Sequence, residues 1–203
     1  MNNNTMNSLD TTKNTNKLNK AVIIISKILE ISHWVGCVLV IGIIGVTATG
    51  KLSLLKFLTD ARVGDETLST YGFTMEMSDL SNTEAIRAFI LFFVTLLIVF
   101  ALMAMVFRNT YLTFKTAEGK TKFSKGATPF QPDIIRMIRE IGIFMIAIPA
   151  VELIMLLIAQ FMLGDAAEVS VQFSSIFFGL VVLAISRFFS YGAELQEDTD
   201  GLV

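Results

Sequence analysis

The chain has 203 residues, of which 53% are hydrophobic and only 17% charged, against about 25% charged in ordinary soluble domains, a balance that argues against a water-soluble globular fold. Its formal net charge is -2, and no concentrated basic face interleaved with aromatics stands out, so direct nucleic-acid binding is not expected. The single cysteine, Cys37, cannot form an internal disulfide, and the single histidine, His33, excludes a haem held by two histidines of one chain.

Residues 1–20 are polar and rich in Asn and Thr. They have too little apolar surface to offset the entropy of ordering, which predicts a disordered cytoplasmic tail. The apolar stretch that follows is too long and too charged for a secretory signal, and no small-residue cleavage site follows it. Residues 21–203 are expected to form one transmembrane domain.

The first apolar block covers 21–50, with a span over about 24–50. Lys27, Glu30, His33 and Cys37 follow steps of three, three and four, so they share one helix face. Glu30, His33 and Cys37 are donor types that bind zinc or copper. One helix face offers at most three ligands, however, and no second ligating pair is evident elsewhere. The expectation is therefore a polar stripe near the inner membrane boundary, with no metal and no cofactor. Lys27 either reaches lipid headgroups or pairs with Glu30. His33 is the side chain suited to sensing pH. Gly42, Gly45 and Thr49 stand at helical spacing and predict a face turned toward a neighbouring helix.

The connection 51–84 mixes Lys51, Lys56, Arg62 with Asp60, Asp65, Glu66, Glu76, Asp79 and Glu84. Apolar positions at steps of three and four within 52–58 predict a short amphipathic helix. The YGFTMEM piece reads as an extended segment. This loop either caps the bundle or offers an external ligand or partner surface.

The second block, 85–107, is the cleanest span. The segment 108–137 then carries Arg108, Lys115, Lys120, Lys122, Lys125 and Arg136. Thr128-Pro129 and Gln131-Pro132-Asp133 break the chain and reopen a helix, since Pro suits the first helical position and Asp the positive helix end. The third span, about 138–163, contains Pro149 and Glu152. Pro149 has no N–H for the Met145 carbonyl and can kink the helix. An ionisable group at that depth costs about 2.5–3.5 kcal/mol or more and usually faces a bundle interior or cavity. Two readings stand for Glu152: a proton or cation site beside a kink, or a structural acid, protonated or hydrogen-bonded to another helix. Ala147 and Ala150, and Ser175 and Gly179 of the fourth block, are further small pairs expected to face inward. The fourth span covers about 169–191. Arg87 and Arg187 lie near helix ends and are expected to snorkel, with Glu30 or Glu140 as the alternative partner for Arg187.

Each block approaches the ~20 apolar residues needed to cross ~30 Å of hydrocarbon. With no water to bond the backbone, spans are helices or closed barrels, and barrel strands alternate over about ten residues, which these blocks do not. Basic residues near span ends stay in the cytoplasm. The tail and the 108–137 loop are basic, and the connection GDAAEV has no basic residue. The expected fold is an all-α membrane protein, a bundle of four transmembrane helices with both termini inside and a short amphipathic helix in the first external loop. No phosphate-binding loop, metalloprotease motif, nucleophile elbow or kinase signature is present, so no enzyme activity is expected, and no inverted transporter-type repeat is evident.

Two passages, FSKGATPFQPDIIRMIREIG at 123–142 and FFSYGAELQEDTDGLV at 188–203, resemble the signatures of a family of small bacterial four-helix membrane proteins known only as a domain of unknown function, family 2975 (DUF2975). The matching positions are Gly126, Phe130, Arg139, Gly142, Gly192, Leu195 and Gln196. The resemblance covers about residue 25 to the end. It implies a multi-pass protein of the bacterial plasma membrane with no catalytic residues to carry over. The family's members are encoded beside a small helix-turn-helix regulator, so a signalling or regulatory partnership is implied. The acidic segment after the fourth span is expected to dock on the basic 108–125 loop. The expected role is a regulatory or sensory membrane protein acting with a cytoplasmic partner. The alternative is a small homo-oligomeric transporter or channel using Glu152.

Overall fold

The structure, a computed structural model, describes residues 3–48, 67–70, 73–76, 82–125, 128–164, 167–168 and 173–200. Four helices dominate: α1 (Asn3–Ala48), α2 (Asn82–Ala117), α3 (Pro132–Leu163) and α4 (Phe173–Asp200). All four are long and apolar enough to cross a membrane. Three short strands, β1 (Thr67–Thr70), β2 (Phe73–Glu76) and β3 (Ala167–Glu168), form one sheet in that order. The extended segment expected within YGFTMEM is β2. The amphipathic helix expected at 52–58 lies outside the described residues.

Three boundaries differ from expectation. A disordered tail is expected over 1–20, but α1 runs back to Asn3. No Gly or Pro occurs before Gly36, and once a helix exists each further residue adds one backbone hydrogen bond. Likewise α2 continues through the basic stretch to Ala117, and α4 through the acidic stretch to Asp200. Hydropathy marks where lipid ends, whereas a helix ends only where its hydrogen-bond ladder is broken. For α3 the two coincide. Pro132 opens it behind Gln131, with Asp133 in the first turn, as the sequence predicts. Gly164 closes it with φ +66°, a conformation that glycine adopts without a Cβ penalty, and its N–H donates to the Gln160 carbonyl.

The helices pack in chain order, each antiparallel to the last. Lys27 lies over Tyr111, and the His33 ring lies 5.4 Å from Phe100 and 5.2 Å from Phe107, which sets α1 against α2. Asn109 Nδ2 donates to Glu140 Oε2 at 2.9 Å near one end of the α2–α3 pair. Near the other end Ala85, Ala88, Phe89 and Phe92 cluster with Met155, Leu156 and Ala159. In the most apolar window of each helix, 28% of α2 and 33% of α3 are buried, against 17% of α1 and 11% of α4. Thus α2 and α3 form the centre and α1 and α4 flank them.

Small residues set the closest approaches. A Cβ built on Gly142 would lie 2.9 Å from the Gly179 carbonyl oxygen, and one on Gly179 would lie 2.9 Å from the Gly142 carbonyl oxygen. The α3 and α4 backbones therefore meet at this pair, in the small-residue mode of membrane helices. On α1 the expectation fails. Gly42 and Gly45 are exposed, and a Cβ on either would meet nothing within 4 Å. The buried positions of α1 are Ser26, Glu30, Cys37, Val40 and Thr47, whose steps define one stripe facing α2, and at 100° per residue Gly42 and Gly45 fall off it. Gly36 is the glycine at the α1–α2 contact, 2.6 Å from the Phe100 ring as a Cβ would stand. Ala150 is also exposed, while Ala147 and Ser175 are half-buried.

Candidate functional site

The N-terminal part of α1, the ends of α2 and α4 and the start of α3 meet at one end of the bundle. This end carries Lys17, Lys20, Lys27, Arg108, Lys115, Lys120, Lys122, Lys125, Arg136, Arg139 and Arg187. The sheet lies at the other end, where β2 pairs antiparallel with both β1 and β3. The connection before α2 and the one after α3 are thereby joined.

At the basic end the connection leaving α2 is ordered by its own polar groups. Gly119 N–H donates to the Thr116 carbonyl at 3.0 Å, and the Thr116 and Thr121 hydroxyls are 2.8 Å apart. Gln131 is 2% exposed. Its Oε1 accepts from the Lys125 N–H at 2.8 Å, and its Nε2 donates to the Thr128 carbonyl at 2.7 Å. Buried backbone groups need such partners, so this side chain holds the loop in place. Thr128 Oγ1 donates to Gln196 Oε1 at 2.8 Å. The Phe130 ring stacks obliquely on Phe189 at 5.5 Å, and a Cβ on Gly192 would lie 2.5 Å from the Phe130 ring. Phe130, Gly192 and Gln196 are thus brought together from two segments, forming a latch between the connection and α4. Beside it lies an open recess of about 510 Å³ lined by Lys125, Thr128, Phe130, Gln131, Pro132, Ala193, Gln196 and Glu197.

The other motif positions divide. Gly142 serves the α3–α4 crossing instead. Arg139 is exposed, as is Leu195 at 68%. Gly126 lies outside the described residues. The expected docking of the acidic segment on the 108–125 loop takes a different form, because the described bonds from the α2–α3 connection to α4 come from Thr128 and Phe130, a hydrogen bond and an aromatic contact. The sequence pattern does not single out Gln131, Thr128 and Phe189, although a Gln before a helix-opening Pro is a signal for an N-cap position.

Several charges at this end are paired. Arg136 lies 3.5 Å from Asp133 and 3.7 Å from Glu140, and Lys125 lies 3.8 Å from Asp133. Arg187 stacks over Tyr191 at 5.2 Å, and neither Glu30 nor Glu140 is its partner. Glu30 is 7% exposed and pairs with Lys27 at 2.9 Å. His33 Nδ1 bonds the Leu29 carbonyl at 2.8 Å, and Cys37 Sγ donates to the Leu97 carbonyl at 3.9 Å. Glu30, His33 and Cys37 of the polar stripe on α1 thus each have a partner along or across the helix.

Within the spans, Glu152 is 3% exposed and Pro149 is buried with it on one face of α3. Glu152 Oε1 and Thr113 Oγ1 are the buried side-chain oxygens with no hydrogen-bond partner among the described residues. No family model, curated protein or solved structure matches the chain.

Proposed function

We propose that this chain is a regulatory or sensory protein of the bacterial plasma membrane whose basic end, in the cytoplasm, binds a soluble partner. The latch carries the reading. At 1.5 Å per residue, the 28 residues of α4 extend ~42 Å, about 12 Å more than the hydrocarbon. Its last turns therefore project past the bilayer, and the latch fastens the connection to them with a recess and the exposed Leu195 alongside. The charge asymmetry supports an inward-facing basic end, with both termini in the cytoplasm and the sheet outside. The resemblance to family 2975 supports a partner of the small helix-turn-helix class, since the positions that carry it lie largely at this end.

The test is co-purification from gently solubilised membranes, with a soluble helix-turn-helix partner identified by mass spectrometry. The expected result is a complex that Leu195→Glu weakens while leaving the protein monodisperse. Recovery of the membrane protein alone, under conditions that keep it folded, refutes the reading.

A further inference from the structure

The geometry points to a reversible proton-binding site inside the α2–α3 interface, at the Glu152 carboxyl. It stands independently of the partner reading and does not require transport. Glu152 and Thr95 are 3% and 0% exposed. The shared Phe92, Met155 and Leu156 cluster fixes the register of the antiparallel pair. One turn from that cluster toward the Asn109–Glu140 bond, α2 brings Thr95 and α3 brings Glu152, so the two stand at the same level of the bundle. The Thr95 hydroxyl donates to the Leu91 carbonyl at 2.9 Å and is not a partner of Glu152 Oε1, which has none among the described residues. A carboxylate there is a buried charge without a counter-charge, whereas a protonated carboxyl carries none.

Among the described residues, no other titratable group lies beside it on α2 or α3. Between Arg87 and Arg108, α2 has none, and between Glu140 and Leu163 of α3 the only one is Glu152 itself. On α4 the only basic residue is Arg187, next to Ser186, whose hydroxyl donates to the Ile135 carbonyl near the opposite end of α3. The sheet packed on α3 carries Glu76 and Glu168, which add negative charge only. A metal cation would need several oxygen donors, and no group of three or more His, Cys, Asp or Glu side chains that could hold one occurs among the described residues. Pro149 has no N–H for the Met145 carbonyl, so α3 lacks one rung of its ladder one turn from the acid.

The test uses the full chain in lipid nanodiscs, labelled with the membrane-soluble carbodiimide DCCD, which attacks protonated carboxyls, and mapped by peptide mass spectrometry. Glu152 is expected to be labelled, with the extent falling as pH rises and unchanged by added sodium or potassium. Infrared difference spectra between wild type and E152Q give a readout that needs no reagent to reach the site: a protonated-acid carbonyl band is expected in the wild type and lost in E152Q. A wild-type spectrum identical to that of E152Q across the pH range, or labelling suppressed by sodium at fixed pH, overturns the proposal.

Discussion

Replacing Gly179 by alanine, and then by leucine, tests the α3–α4 crossing directly. An added Cβ would stand 2.6 Å from Ile146 Cγ1 and 2.9 Å from the Gly142 carbonyl oxygen, against ordinary carbon contacts of about 3.5–4.0 Å. Ile146 has other rotamers, but the carbonyl is backbone and moves only with its helix. The two helices must therefore separate by roughly 0.5–1 Å along the crossing, with loss of the dispersion contacts that hold membrane helices together. Overpacking of this kind costs about 1–3 kcal/mol, which lowers the folded-to-unfolded ratio roughly 5- to 150-fold, with leucine at the upper end. Reversible unfolding in mixed micelles of mild detergent and dodecyl sulfate measures the ratio. Gly45→Leu is the matched control, since a Cβ there meets nothing within 4 Å, and it is expected to unfold like wild type. Equal stability of all the variants, or a larger loss at Gly45 than at Gly179, refutes the assignment of the packing faces.

Gln131→Leu removes the partner of the Lys125 N–H and the Thr128 carbonyl; at about 1–3 kcal/mol for the buried groups left unpaired, the latch is expected to loosen, seen as faster proteolysis between α2 and α3 with the spans intact. Asn109→Leu strips Glu140 of its 2.9 Å donor across the α2–α3 interface, and the same micelle titration should register a loss near the middle of that range, while Lys27→Met, acting on a pair whose lysine side chain is 44% exposed, should cost under about 1 kcal/mol. A cysteine placed at position 65 in a Cys37→Ser background should react with an impermeant thiol reagent in intact cells, and protection of that site in folded protein would reverse the proposed orientation.

Four spans are legible in the amino-acid sequence because hydrocarbon thickness imposes a length on apolar segments and backbone hydrogen bonding leaves a chain one way to fill it. The Pro132 start of α3, the Lys27–Glu30 pair and the burial of Glu152 are legible for similarly local reasons, being set by a turn, a helix step and a depth. Which face of each helix meets a neighbour is not. Gly42–Gly45 and Ser175–Gly179 look alike in sequence, since lipid and a neighbouring helix are equally apolar and the hydrophobic pattern does not separate them. Only the tertiary arrangement assigns Gly179 to a crossing and leaves Gly42 and Gly45 facing outward. It also joins Thr128 to Gln196, 68 positions apart in the chain. Such contacts depend on the register between packed helices, a property of two segments together that neither segment carries alone.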